Sequence, residues 1–267
     1  MYHETKEAVE KLYRRLTKLK NSYLTFMKQA LIVGGANGIG LAIAHQLSRR
    51  NEIQIIHIVD REPISQSHDH IKFQYSQFDL QNDDYSIFDN FQDIDTLIIT
   101  AGFGRLNLFE NISEPIIKSS FLVNAVGPIR IIKRFYDKLN SKNNFNCAVM
   151  VSIAGFMSSP FFSVYAATKA ALKIFIESIN VELEMNNVKN RVLNVSPGSI
   201  KGTSFNQGQT DLSLIENLAA AIIHNMELHN DLFIPQYNEI FKDVLERYHK
   251  DFRAEGRHSY EYKLNRL

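Results

Sequence analysis

A phenol and an ammonium one helical turn apart are the groups in this sequence best suited to acid–base chemistry. Tyr165 and Lys169 stand at i and i+4 in YAATK, which puts them on one face of a helix. Ser152 lies thirteen residues earlier, at the end of the apolar run in VSIAG. A free phenol titrates near ~10 and is a poor base at neutral pH. A neighbouring ammonium stabilises the phenolate and lowers that value. A serine hydroxyl beside the phenol can hold a substrate oxygen in place. The three together suit proton delivery to a carbonyl oxygen while hydride reaches its carbon, or the reverse with an alcohol. Spacing alone carries little, because Tyr2 and Lys6 match it too, with no strand before them.

A second group of residues could hold the hydride carrier. VGGANGIG presents Gly34, Gly38 and Gly40 as GxxxGxG between an apolar run and a helical pattern. Such a turn needs backbone freedom at Gly34, a bare backbone at Gly38 facing a pyrophosphate, and close helix–sheet packing at Gly40. Asn37, Gly38 and Ile39 open the helix, whose free N–H groups and dipole favour phosphate. Asp60 follows Gly40 by twenty residues, at the end of the next apolar run. A carboxylate there accepts hydrogen bonds from ribose hydroxyls and repels a 2′-phosphate, which predicts NAD, with NADP less favoured. Arg61 next to it weakens that preference.

Both groups need a scaffold that brings distant segments to one place. The pattern predicts strands over 30–33, 53–59, 71–78, 96–100, 148–151 and 191–196, with a short one near 232–234. Helices are predicted over 38–50, 83–91, 115–139, 163–185, 211–228 and 238–251. Wholly apolar strands separated by helices imply a parallel sheet covered on both faces. The fold class is therefore α/β, a single doubly wound Rossmann-type sheet, and its carboxyl edge is where ligands bind. No linker or repeat divides the chain, so 28–267 reads as one domain, with a tail from about 236. Residues 4–24 carry an apolar helical stripe through Val9, Leu12, Leu16 and Leu19, and predict an appended peripheral helix within 1–27.

From Lys28 to Pro235 the sequence resembles the short-chain dehydrogenase/reductase family in its single-domain form. The resemblance rests on VGGANGIG, Asp60, the FDL segment with Asp79 and Leu80, TAG at 100–102, Asn124 in NAVG, Ser152, YAATK and SPGSIKGT at 196–203. It implies that Asp79 and Leu80 line an adenine pocket and that Ala101 and Gly102 pass under the cofactor. It implies that Asn124 anchors a water relaying protons to Lys169, that Ser152 positions the substrate oxygen, and that Tyr165 is the acid or base. Lys169 would tune Tyr165 and bind ribose, while Pro197, Gly198 and Thr203 would flank the nicotinamide. Val33 and Thr100 depart from the family's usual residues, which implies altered local hydrogen bonds. The resemblance also implies oligomers built on the helices over 115–139 and 163–185. Extended relatives that epimerise or dehydrate use a GxxGxxG turn and a further substrate domain, which this chain lacks. A dinucleotide-binding regulator would need no proton donor.

Composition adds boundaries. A net charge of +1 gives no push toward nucleic acid or membrane, and one cysteine, Cys147, permits neither an intrachain disulfide nor a thiolate cluster. Cys147 reads as a core residue. No run approaches the length needed to span a bilayer, and no metal-ligand spacing is present. These features predict a cytoplasmic protein with a small-molecule partner, no nucleic acid and no membrane. The loop over 199–210 is expected to close over substrate, and Phe156, Met157, Phe161 and Phe162 to make an apolar pocket or ordinary core. The basic, aromatic tail from Arg247 is expected to pack on a neighbouring subunit.

Overall fold

The computed structural model describes residues 28–203, 205 and 209–264, so the helix expected over 4–24 lies outside the described residues. Strands β1 (Lys28–Val33), β2 (Ile53–Asp60), β3 (Phe73–Gln77), β4 (Thr96–Ile99), β5 (Asn146–Met150), β6 (Val192–Val195) and β7 (Leu232–Phe233) form one sheet. Their order is β3-β2-β1-β4-β5-β6-β7 and every pairing is parallel. Alternation within the apolar strands divides the core. Leu31, Val33, Leu97, Ile99, Cys147 and Val149 face one side, and Ala30, Ile32, Ile98 and Ala148 the other.

The second face is covered by α1 (Gly38–Ser48) and, in the order of the chain, later by a 16-residue helix at Leu212–Glu227, which packs against α1. The first face is covered by the run that begins at Glu114 and by the long helix Ser163–Met185. The former was expected to be one helix over 115–139. It is instead α2 (Glu114–Phe121), a π turn at Leu122–Val126, α3 (Gly127–Arg134) and α4 (Tyr136–Leu139). Pro128 is the cause. It has no N–H to return to the Asn124 carbonyl, so the α ladder breaks there, and the Gly127 N–H reaches back to Leu122 O. With these in place, Ser163–Met185 is α5 and Leu212–Glu227 is α6.

By length and composition alone Glu114–Arg134 is apolar enough to cross a membrane, contrary to the sequence expectation. Here it buries Asn124, Ala125, Ile131 and Ile132 in the fold. The helix expected over 83–91 is a 3-10 turn, Ser86–Phe91. Asp84 takes the Ser86 N–H at 2.8 Å and its hydroxyl at 2.9 Å, which holds the start of the segment in a side-chain turn. Past Ile234 come a π turn at Tyr237–Phe241, α7 (Lys242–Lys250) and α8 (Phe252–Leu264).

Candidate active site

Because the strands run parallel, the segments that follow them emerge at one rim. Gly34 follows β1, Asp60 ends β2, Asp79 and Leu80 follow β3, Ala101 and Gly102 follow β4, Ser152 follows β5, and Pro197 and Gly198 follow β6. The chain turns from β1 toward β2 on one side, while β4 lies on the other, so a crevice opens between β1 and β4.

The glycine turn is built as its composition implies. Gly34 has φ +86°, and a methyl there would lie 2.4 Å from the Ala101 nitrogen. A methyl on Gly40 would lie 2.3 Å from the Gly34 carbonyl, so α1 backs directly onto the turn. Thr100 supplies the altered hydrogen bond, its hydroxyl donating to Gly34 O at 2.8 Å. Asp60 ties the turn to β2: its carboxylate accepts the Ala36 N–H at 3.0 Å. Asn37 is exposed and its side chain does not cap α1, while Ile39 is half-buried. The Gly38 N–H, at the start of α1, donates to the Thr210 hydroxyl at 2.9 Å. Thr203 packs beside Gly38, with a methyl position 3.8 Å away. Asp79 caps its own turn at the Gln81 N–H, and buried Leu80 accepts the Tyr85 hydroxyl through its carbonyl at 2.7 Å.

On the other side of the crevice α5 carries Tyr165 and Lys169. It can lie close because Gly155, in the turn after β5, has no side chain: a methyl there would stand 2.9 Å from the Lys169 carbonyl carbon. Ser152 accepts the Ala154 N–H at 3.1 Å and donates to Pro197 O at 3.4 Å, and its hydroxyl lies on the side of the Tyr165 phenol, where it favours the phenolate. Ile153 N–H donates to Pro197 O at 3.0 Å, which joins the β5 and β6 ends. Lys169 is 2% exposed, and its Nζ donates to Met150 O at 2.8 Å, 5.7 Å from the centre of the Tyr165 ring.

The electrostatics correct one expectation. Burial pushes the Tyr165 phenol up to about 12, with the Ser152 hydrogen bond pulling it partly back. Burial pulls Lys169 down to about 7. In the protein alone burial therefore keeps the phenol protonated at neutral pH. Asn124 is fully buried and its side chain is engaged by the protein itself. Its side-chain oxygen accepts the Phe103 N–H at 2.9 Å, and its amide donates to Phe103 O at 2.8 Å and Thr168 Oγ1 at 3.2 Å. The side chain clamps the segment after β4, and Pro128 leaves the Asn124 carbonyl without an α-helical donor.

A dinucleotide fits this rim. A methyl on Gly102 would stand 3.2 Å from Lys169 Nζ and 3.3 Å from Asn124 Oδ1, so the floor between them is bare backbone. The Gly38 N–H already holds an oxygen. Among the described residues no group of three His, Cys, Asp or Glu is placed to hold a metal.

The apolar residues separate by role. Phe156 and Met157 pack into a small cluster with Ile153, Ile234 and Leu245, and Phe161 stacks on Tyr260 of α8 at 4.7 Å. Only Phe162 faces the phenol, 5.7 Å from the Tyr165 ring, joined by Phe205 at 5.4 Å. The tail does not wait for a neighbour, since α8 packs on the 158–162 segment of its own chain. Phe103, Thr168, Gly155 and Phe205 escaped the sequence reading. The pair Gly127–Pro128 inside a predicted helix was the signal for the π turn.

The chain matches the short chain dehydrogenase family over residues 28–212. It is 27% identical over 229 residues to an uncharacterised oxidoreductase of Saccharomyces cerevisiae, covering 79% of this chain and 74% of that one. It is 27% identical over 157 residues to retinol dehydrogenase 8 of Bos taurus, covering 57% of this chain and 48% of that protein, about half its length. A short-chain dehydrogenase from Burkholderia cenocepacia, solved in complex with NADP, superposes with a TM-score of 0.67 at 19% identity, over 83% of this chain and 97% of that one. The matched span contains the glycine turn, Ser152, Tyr165 and Lys169 on their common rim, and the chain belongs to the short-chain dehydrogenase family.

Proposed function

We propose that this NAD(P)-dependent oxidoreductase moves a proton through Tyr165 at the oxygen of a carbonyl or secondary alcohol. The observation that carries this is the meeting of Tyr165, Ser152 and Lys169 at the sheet rim, with the Lys169 Nζ 5.7 Å from the centre of the Tyr165 ring and the Ser152 hydroxyl favouring the phenolate. A bound nicotinamide would supply or accept the hydride. Gly34, Asn37, Gly38, Ile39 and Gly40 would hold its pyrophosphate, Asp60, Asp79 and Leu80 its adenosine end, and Ala101, Gly102, Asn124, Pro197, Gly198 and Thr203 its nicotinamide half. Ser152 holds the substrate oxygen, and Tyr165, protonated at neutral pH, donates to it. Lys169 binds ribose and restores the proton through a water on the Asn124 carbonyl.

NAD is the preferred form, because a carboxylate at the end of β2, as at Asp60, accepts ribose hydroxyls and repels a 2′-phosphate. Phe162 and Phe205 beside the phenol support a hydrophobic or aromatic substrate, in keeping with the retinol named for a partial relative. Ile174, Val181 and Met185 on α5 are exposed, as are Ile116 and Phe121 on α2, the helix that packs against it. That apolar face supports a homo-oligomer. The single buried thiol, Cys147, suits a reducing compartment such as the cytoplasm.

The test is a panel of carbonyls and alcohols followed by nicotinamide absorbance, repeated with Tyr165→Phe. The variant should lose about 10²–10⁴-fold in kcat and keep its NADH affinity. Wild-type NADH binding without turnover on any member would instead favour a regulator on the same fold.

A further inference from the structure

The chain after β7 returns to the site. Lys263, in the last turn of α8, donates from Nζ to the Ser159 hydroxyl at 2.6 Å and to Pro160 O at 3.0 Å, and lies 5.4 Å from the centre of the Phe162 ring. Three residues earlier in α8, Tyr260 stacks on Phe161. Phe161 is 3% exposed and has φ +65°, a left-handed conformation that strains a bulky residue. Strain of that kind persists only where neighbours hold it. Here the neighbours are Tyr260 on the ring and the Asn107 N–H, which donates to Phe161 O at 2.9 Å. The reversal at Phe161 sends its own ring outward to α8 and the next ring, Phe162, inward to Tyr165.

We propose that α8 is a clamp on the substrate wall and that Lys263 is a positioning residue, holding Ser159–Phe162 so that the Phe162 ring stands beside the reacting phenol. This rests on the reading of Tyr165 as the proton donor. Lys263 touches neither the glycine turn nor the Tyr165 hydroxyl, so its influence falls on the fit of substrate. Bulky carbonyls that lean on the Phe162 ring depend on it, and small ones do not. The charge suits the post: three neutral acceptors, a hydroxyl, a carbonyl and a ring face, are gathered by one ammonium.

The experiment is hydrogen exchange and steady-state kinetics on the full chain, comparing wild type with Lys263→Met and Lys263→Arg. Loss of charge-assisted bonds should speed exchange at the Phe162 amide, which donates to Ser159 O, and at Asn107 by about tenfold or more, with α1 and the glycine turn unchanged. KM for a bulky aryl ketone should rise about five- to tenfold with kcat within about twofold, while a small aliphatic ketone and the NADH dissociation constant stay put. Lys263→Arg, which keeps charge and donors, should restore exchange and KM. Unchanged exchange in that segment overturns the clamp, as does faster exchange with an unmoved KM for the bulky ketone. A wild type that turns over no carbonyl sinks the catalytic reading instead, and the clamp is then decided by the exchange arm alone.

Discussion

Replacing Lys169 by Met should make the cofactor-free protein more stable while abolishing turnover. The side chain is 2% exposed and its ammonium is pulled down to about 7 by burial. An unfolded lysine titrates near ~10.4, and the gap corresponds to on the order of 4 kcal/mol of penalty for folding the charged chain at about pH 7. Between about pH 7 and 10 the unfolded state keeps a proton that the folded state has shed, so wild-type stability rises with pH there, by about 2 kcal/mol from pH 7 to 9. Below that window the penalty is present in full. Met fills similar volume and carries no charge, so it removes both penalty and slope. Against this stands the Nζ bond to Met150 O at 2.8 Å, whose loss leaves a buried carbonyl short of a partner. That costs about 1–3 kcal/mol, leaving a net gain of about 1–3 kcal/mol, or several degrees in Tm. Urea unfolding of both proteins from about pH 6 to 9, with turnover measured alongside, checks it. A variant less stable than wild type at neutral pH, or one with the same pH slope, would refute the idea that desolvation dominates at this lysine. The physical point is that Lys169 puts an ionisable group where folding alone would place none.

Further outcomes follow from the same geometry. Asp60→Ala should narrow the gap between NADH and NADPH affinity, measured by fluorescence titration, and should cost about 1–2 kcal/mol of stability through the lost Ala36 N–H bond; a wild type that already prefers NADPH contradicts the role given to Asp60. Val181→Glu, at a position 59% exposed on α5, should lower the mass seen by sedimentation with the fold retained. An unchanged mass would remove that face from the assembly.

The sequence by itself determined the architecture and which residues the strand ends bring to one rim. Wholly apolar strands at regular intervals admit few solutions other than a covered parallel sheet, and such a sheet delivers every strand end to one rim. Gly34, Asp60, Ser152, Tyr165 and Lys169 were legible for that reason: their types and spacings are local, and topology did the gathering. Tertiary structure alone decided how the groups are tuned. Whether Lys169 lowers the phenol or is itself lowered depends on water excluded by residues far apart in the chain. Whether Asn124 offers its amide or its carbonyl depends on Phe103 and Thr168 meeting it across the crevice. Where the tail goes depended on Lys263 finding Ser159 more than a hundred residues back, a contact that no pattern along the chain encodes.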